Sequence, residues 1–378
     1  MKKIIGTILA LTILFSAFIT PCLSVQAKTQ APSLDVLVFG NEYSQDVMKN
    51  LLAIGKSQGI DISIDLFASQ KGNIDHHQNI AKWELWYCSS QETGYYYKID
   101  NKNLEGVKQT SPQFSYKTVR AVALKDWDSI VFMDSPADSS DEYKLNTPVY
   151  EFKNYITGLL KDKSAKTYYH EYWAWEKTNV SEDTDKVFNR YNSSWSTMYE
   201  KIKHVSDIVS GSKEFDAVIS SGEAFNLART EGDYNPATSE VSLMDDDTRH
   251  LSIYGEYLSA CVWYMTLTGC EIDTDKVFVP IGVFGMSKEQ ALELIGFAAE
   301  AVKSRGVTLK SFNEVYASQN DTNGTTSSEL VYTPDDIGGS EGGADIDPML
   351  FVYIGAGVVV VAAVAVVIVI ASKKKKSK

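Results

Sequence analysis

Short apolar segments alternate with helical segments between residues 34 and 303, and this alternation limits the possible folds more than any other feature. The segments that look like strands are 34–39, 61–67, 129–133, 167–170 and 217–220. Strands that alternate with amphipathic helices form a mostly parallel sheet covered on both faces. The sequence therefore predicts an α/β domain built around a mostly parallel five-stranded sheet.

The spacing of apolar residues also places the connections between these strands. We expect helices over 44–57, within 184–210, near 223–228, over 255–267 and over 288–303, and one more that starts at Thr147-Pro148. Residues 84–99 are rich in aromatic side chains and predict a hairpin inserted into this plan. In such a sheet, a ligand crevice lies beyond the carboxyl ends of the strands.

The N-terminus reads as a secretory signal. Met1-Lys2-Lys3 is positively charged, residues 4–20 are apolar, and Val25-Gln26-Ala27 offers small residues at the positions that signal peptidase requires. We therefore expect residues 1–27 to be removed after Ala27.

The C-terminus reads as a membrane anchor. Residues 349–371 carry no charge and are long enough for a helix to cross a bilayer, and Lys373-Lys374-Lys375-Lys376 follow at once. The positive-inside rule leaves the tail 372–378 in the cytoplasm and the domain 28–317 outside, joined by a flexible linker over 318–348. This pattern predicts a single-pass protein of the cell membrane and resembles a surface protein of a Gram-positive bacterium.

Charge and cysteine content narrow the choice of partners. The chain has a formal net charge of -13, and an acidic surface repels the phosphate backbone, so we expect no nucleic acid among its ligands. Neutral ligands, cations or basic partners suit it better. The mature chain would keep Cys88, Cys261 and Cys270; a bridge between Cys88 and Cys270 stays open, while Cys261 lies in an apolar helix and is expected to be buried.

Several blocks at the expected strand ends carry a family resemblance. They are Gly40-Asn41-Glu42-Tyr43-Ser44, the stretches 169–175, 222–229 and 255–260, and Asp247-Thr248-Arg249-His250-Leu251-Ser252. In this order, over residues 34–270, they resemble the SGNH (GDSL-type) hydrolases, in particular an uncharacterised branch whose first block reads GNSFS and whose last reads DGxHLS. The resemblance implies a flavodoxin-like three-layer sandwich and ester hydrolysis without a cofactor.

The resemblance also implies site residues. His250 matches the general base and Asp247 the carboxylate that orients it, an arrangement that activates a serine hydroxyl. Glu42 stands at the position of that serine, and a carboxylate there would hold the imidazole protonated. Ser44 is the alternative nucleophile, although two residues past the catalytic position it reads better as a helix N-cap.

Other polar and aromatic residues at the strand ends are candidates for ligand binding. They are Asn41, Asp134, Ser135, His170 and Trp173. Trp173 suits either a platform for stacking sugars or core packing under the sheet. None of these residues has a spacing diagnostic of a metal site, so we expect no metal.

Three functions fit this pattern. The leading hypothesis is a degenerate esterase, kept as a module that binds a glycan or another surface ligand. The alternative is an active esterase that acts on acylated carbohydrate or polysaccharide with a non-standard nucleophile. The third is an adhesion or assembly protein that uses its acidic surface and no pocket.

Overall fold

The computed structural model describes most of the predicted extracellular domain. The described residues are 31–41, 43–69, 74, 77–78, 94–100, 103–108, 123, 125–135, 138–176, 182–245, 250–280 and 285–320. The predicted signal, most of the linker, the predicted membrane segment and the lysine tail lie outside them. No helix of the described part is long and apolar enough to cross a bilayer.

Five parallel strands form the centre of one sheet, as predicted. They are β1 (Ser33–Asn41), β2 (Asp61–Ser69), β5 (Ser129–Phe132), β6 (Lys166–His170) and β7 (Ala217–Ile219). Their spatial order, β2-β1-β5-β6-β7, is the flavodoxin-like order, in which the chain reverses direction beside the first strand. The ligand crevice of such a sheet is expected beyond the carboxyl ends of β1 and β5.

An antiparallel hairpin extends the sheet to seven strands. β3 (Gly94–Asp100) pairs with β2, and β4 (Asn103–Lys108) pairs with β3 at the edge. The prediction of a hairpin is confirmed, but its placement over 84–99 was too early. Asp100 pairs with Asn103 across the hairpin, so the aromatic run from Tyr95 to Tyr97 lies within one strand. Residues 84–93 lie outside the described residues.

Helices cover both faces of the sheet. They are α1 (Ser44–Ser57), α2 (Glu151–Leu159), α3 (Glu182–Asn189), α4 (Trp195–Ser212), α5 (Ser221–Glu231), α6 (Ile253–Thr268), α7 (Lys288–Ser304) and α8 (Phe312–Asn320). β1 shows the division, because Val36 and Val38 belong to one core cluster whereas Leu37 and Phe39 belong to the other. Alternate side chains of a strand point to opposite faces, so the domain has three layers.

The structure differs from the sequence prediction within 184–210 and at the end of the domain. The expected helix within 184–210 is two helices, α3 and α4, because Asn192 and Ser193 adopt left-handed backbone conformations between them. The start at Thr147-Pro148 agrees with the prediction: Thr147 has a non-helical backbone, Pro148 lies within a π-helical segment, Leu145–Tyr150, and this segment runs directly into α2 at Glu151. α8 continues to Asn320, past the predicted end of the domain at 317.

α6 is buried on nearly all sides, and its first turn packs very closely on a loop. A Cβ atom added at Gly255 would overlap the carbonyl oxygen of Leu243, whereas one added at Gly296 in α7 meets nothing within 4 Å. We expect Gly255→Ala to lower the free energy of unfolding by about 1–3 kcal/mol, the usual cost of overpacking. Gly296→Ala is the matched control and should raise it by about 0.5–1 kcal/mol, because alanine favours helices. Denaturant titrations of both variants check this pair, and equal effects would contradict the packing.

Candidate functional site

Asn41 links the carboxyl ends of β1 and β5. Its side-chain amide donates to the carbonyl oxygen of Asp134 at 2.9 Å, and its Oδ1 accepts the backbone N–H of Tyr43 at 3.1 Å. The Asn41 backbone N–H donates to Ser44 Oγ at 3.0 Å. The side chain is fully buried, so its bonds shape the turn into α1 and tie it to the end of β5. The predicted ligand contact is therefore corrected to a supporting role.

Ser44 is buried within that same turn. Its hydroxyl accepts the Asn41 N–H and lies 3.1 Å from the sulfur of Met133, and the side chain is inaccessible to solvent. The residue opens α1 without capping it, since Tyr43 occupies the cap position. Both predictions for Ser44 are thereby corrected, because the hydroxyl is neither placed to attack a substrate nor bound to the helix N-terminus. Glu42 lies outside the described residues.

His250 lies beside α1, next to a carboxylate that the sequence did not identify. Its Nδ1 is 3.1 Å from Oδ2 of Asp46, and the ring centroids of His250 and Tyr43 are 4.9 Å apart. The His250 side chain keeps 36% of its surface exposed, so solvent reaches the imidazole. Asp247, expected to orient this ring, lies outside the described residues.

A buried polar chain holds the loop that carries His250. Nη2 of Arg229 is 3.1 Å from Oε1 of Glu176, with both side chains 1% exposed, and Ser242 donates its hydroxyl to Glu176 Oε2 at 2.6 Å. The Ser252 hydroxyl, just past His250, donates to the Ser242 carbonyl at 2.6 Å. A buried, hydrogen-bonded ion pair thus fixes both ends of the loop relative to the sheet.

Asp134 and Ser135 follow β5 and are also largely buried. Asp134 Oδ1 accepts the backbone N–H of Ser135 at 2.9 Å and that of Ile74 at 3.3 Å. Burial, followed by the nearby charge of Asp138, raises the pKa of Asp134 to about 7. The Ser135 hydroxyl donates to Asp138 at 3.1 Å. Near neutral pH, Asp134 therefore exchanges between a charged and an uncharged carboxyl at the end of β5.

His170 is a core residue. It is fully buried, and its Nε2 lies 3.0 Å from the hydroxyl of Ser221, which is 3.0 Å from that of Ser259. Burial lowers the pKa of His170 to about 3, so the imidazole is neutral at physiological pH. The predicted ligand contact is corrected, because the ring has no surface to offer.

Trp173 is also a core residue. Its ring stacks on Tyr172 at a centroid distance of 4.4 Å and lies 5.8 Å from Phe225, and it has no exposed surface. Of the two roles left open for Trp173, the structure supports core packing. A sugar could not stack on it without displacing its neighbours.

The sequence of the domain matches the profile of a known protein family. The profile of the domain of unknown function DUF4886 matches residues 35–291, more than half of the chain. The chain belongs to the DUF4886 family. No curated protein matches it.

Two solved structures resemble this DUF4886 domain. A DUF4886 protein from Bacteroides uniformis is 23% identical over 75% of this chain and 99% of its own, with a TM-score of 0.57. A protein from Slackia heliotrinireducens, described as a candidate SGNH hydrolase, is 13% identical over 62% of this chain and 99% of its own, with a TM-score of 0.39. The first likeness shows that the fold is shared; the second is too low to support an argument.

The DUF4886 domain shows neither a metal centre nor a cysteine bridge in its described part. No group of three His, Cys, Asp or Glu side chains there is arranged to hold a metal ion. Cys261 and Cys270 are free, buried thiols, and Cys88 lies outside the described residues. Asp46 is the site residue that sequence reasoning missed. An acidic residue in the first turn of a helix is ordinary, and it gave no signal of a distant histidine.

Proposed function

We propose that this DUF4886 protein is a membrane-tethered, extracellular relative of the SGNH hydrolases that binds a glycan or acylated polysaccharide and does not hydrolyse it. The observation that carries the proposal is the state of the serines in the first motif. Glu42 replaces the nucleophilic serine of the resembling pattern, and the next hydroxyl, that of Ser44, is buried and bonded to the Asn41 N–H. A neighbouring imidazole has no accessible serine of this motif to activate.

A binding role fits the groups that remain accessible. His250 is partly exposed, and its partner Asp46 keeps 15% of its side-chain surface. Imidazole and carboxylate groups accept hydrogen bonds from sugar hydroxyls. The acidic balance of the chain disfavours nucleic acids and polyanions. A neutral glycan, plain or acylated, is the ligand class that suits these groups.

The location outside the cell is part of the proposal and rests on the two ends of the sequence. The positive and apolar pattern of residues 1–27 supports export, and the uncharged run 349–371 followed by four lysines supports anchoring. A protein exposed in this way meets cell-surface and environmental polysaccharides.

The decisive experiment restores the missing nucleophile. The purified full chain in detergent micelles is assayed on an aryl acetate and on acetylated xylan, as wild type, Glu42→Ser and Glu42→Gln. We expect no turnover by the wild type or by Glu42→Gln. For Glu42→Ser we expect a rate at least about 100-fold above the hydrolysis seen without enzyme, the scale of general base catalysis. Adding His250→Ala to Glu42→Ser should abolish that rate.

Two results would contradict the proposal. Turnover by the wild type that depends on His250 would make the protein an ester hydrolase with a non-serine nucleophile. The second result concerns binding, which calorimetry measures on acetylated and deacetylated xylan. If the proposal holds, His250→Ala should bind these polymers more weakly than the wild type. No binding to either polymer, together with a silent Glu42→Ser, would favour an adhesion role that uses no pocket.

A further inference from the structure

Asp46 holds the loop of His250 at two points. Its Oδ2 is 3.1 Å from His250 Nδ1 and accepts the backbone N–H of Leu251 at 3.2 Å, while Oδ1 lies 3.4 Å from the same ring nitrogen. One carboxylate in the first turn of α1 therefore fixes both a side chain and the main chain of a loop 204 residues away.

The chemistry of this pair determines which ring nitrogen carries the proton. A carboxylate only accepts hydrogen bonds, so Nδ1 must donate and must hold a hydrogen. In a neutral imidazole the other nitrogen, Nε2, is then the acceptor. Catalytic histidines that take a proton from a nucleophile use the same arrangement, with a carboxylate on Nδ1.

The surroundings of Asp46 favour this arrangement over a chance contact. The carboxylate lies at the N-terminal end of α1, where the helix dipole stabilises negative charge. It is more buried than the imidazole, with 15% of its side-chain surface exposed against 36%. The Tyr43 ring, tilted by 40° at 4.9 Å, limits the rotation of the imidazole.

We infer that Asp46 is the positioning residue of His250, which fixes its Nδ1–H tautomer and its orientation, a role that the SGNH resemblance gives to Asp247. The expected effect of Asp46 on ligand binding and turnover rests on the proposed function. The Nδ1–H tautomer follows from the contact between Asp46 and Nδ1 of His250. The carboxylate lies two residues past the first motif block, so the serine position and the orienting group of the base are four residues apart in the sequence.

The tautomer can be observed without any ligand. Nitrogen NMR of the full chain in detergent micelles, labelled on histidine, resolves Nδ1–H from Nε2–H forms at about pH 9, where an ordinary imidazole is neutral. His250→Gln assigns the signal among the five histidines. We expect His250 to be almost entirely Nδ1–H in wild type and in Asp247→Asn, and mostly Nε2–H in Asp46→Ala.

If the alanine variant folds poorly, Asp46→Leu repeats the test, because leucine is closer in size to aspartate. The signals of the four other histidines report whether each sample is folded. A wild-type Nδ1–H signal retained in both Asp46 variants would overturn the inference. A loss of that signal in Asp247→Asn alone would also overturn it.

A second readout separates this inference from the proposed function. In the Glu42→Ser background, Asp46→Ala should lower kcat, by as much as about 10⁴-fold if the wrong tautomer dominates. An inactive Glu42→Ser would count against the proposed hydrolase ancestry and would leave the tautomer result standing. An active Glu42→Ser whose kcat is unchanged by Asp46→Ala would contradict the role of Asp46.

Discussion

Replacing Trp173 with alanine is expected to lower the free energy of unfolding by about 3–5 kcal/mol, the usual cost of truncating a large buried aromatic side chain. The indole is fully buried and stacked on Tyr172, with Phe225 and His170 also in ring contact. These rings lie between the end of β6 and helix α5, so they cannot close the space without moving the sheet. Denaturant titration or calorimetry of the purified protein measures the loss.

Two comparisons make the Trp173 result specific. Trp173→Phe keeps an aromatic ring in the stack and should lose clearly less than the alanine variant. Tyr143, 86% exposed, provides the surface control, and Tyr143→Ala should change stability by less than about 0.5 kcal/mol. A stable Trp173→Ala protein that has lost only glycan binding would show instead that the indole is a sugar platform.

The order of strands and helices was predictable because its signals are local. β1, β2, β5, β6 and β7 are short apolar runs, and the period of the intervening helices is visible in the sequence. The limits of α1 and the capping box at Ser287 were also predictable, since each depends on residues a few positions apart.

The errors in the fold arose where local signals competed. The break between α3 and α4 depends on left-handed residues at Asn192 and Ser193 and on Ser194, whose hydroxyl accepts the Thr197 N–H as an N-cap. A serine followed by a helical pattern signals the start of a helix. Ser194 gives that signal, but it lies within a region whose apolar spacing also fits one long helix. The hairpin was misplaced because aromatic content does not specify where a chain turns.

The site was only partly predictable because partners distant in sequence decide it. Motif order placed Asn41 and Asp134 at neighbouring strand ends, and the structure joins them through a hydrogen bond. Placement at a strand end does not determine which way a side chain faces, however. His170 points into the core formed with α5 and α6, where its Nε2 lies next to the Ser221 hydroxyl. That hydroxyl in turn contacts the hydroxyl of Ser259. Asp46 reaches His250 only through the packing of α1 against the loop that precedes α6.

Replacing Asp134 with asparagine is expected to stabilise the protein at about pH 8 by up to about 4 kcal/mol, and to have little effect at about pH 4. The pKa of Asp134 rises from 3.8 to about 7 in the folded protein, mainly through burial. Between these two values the folded state holds a proton that the unfolded state has released, so stability falls as pH rises through this window. Asparagine has a similar shape, and its oxygen can still accept the N–H groups of Ser135 and Ile74.

Comparing the unfolding free energies of the wild type and Asp134→Asn separates the contribution of Asp134 from those of other buried groups. His170, with its pKa lowered to about 3, acts in the opposite direction, since stability is lost as pH falls below the ordinary histidine range. It is present in both proteins, and its contribution cancels when their unfolding free energies are subtracted at each pH. A difference that grows between pH 4 and 8 supports a buried carboxyl with a raised pKa at the end of β5. If Asp134→Asn destabilises the protein at pH 8, Asp134 is instead a carboxylate stabilised by a cation. Lys144 is the candidate, because it bonds Asp138 at 3.0 Å and its charge lowers the pKa of Asp134.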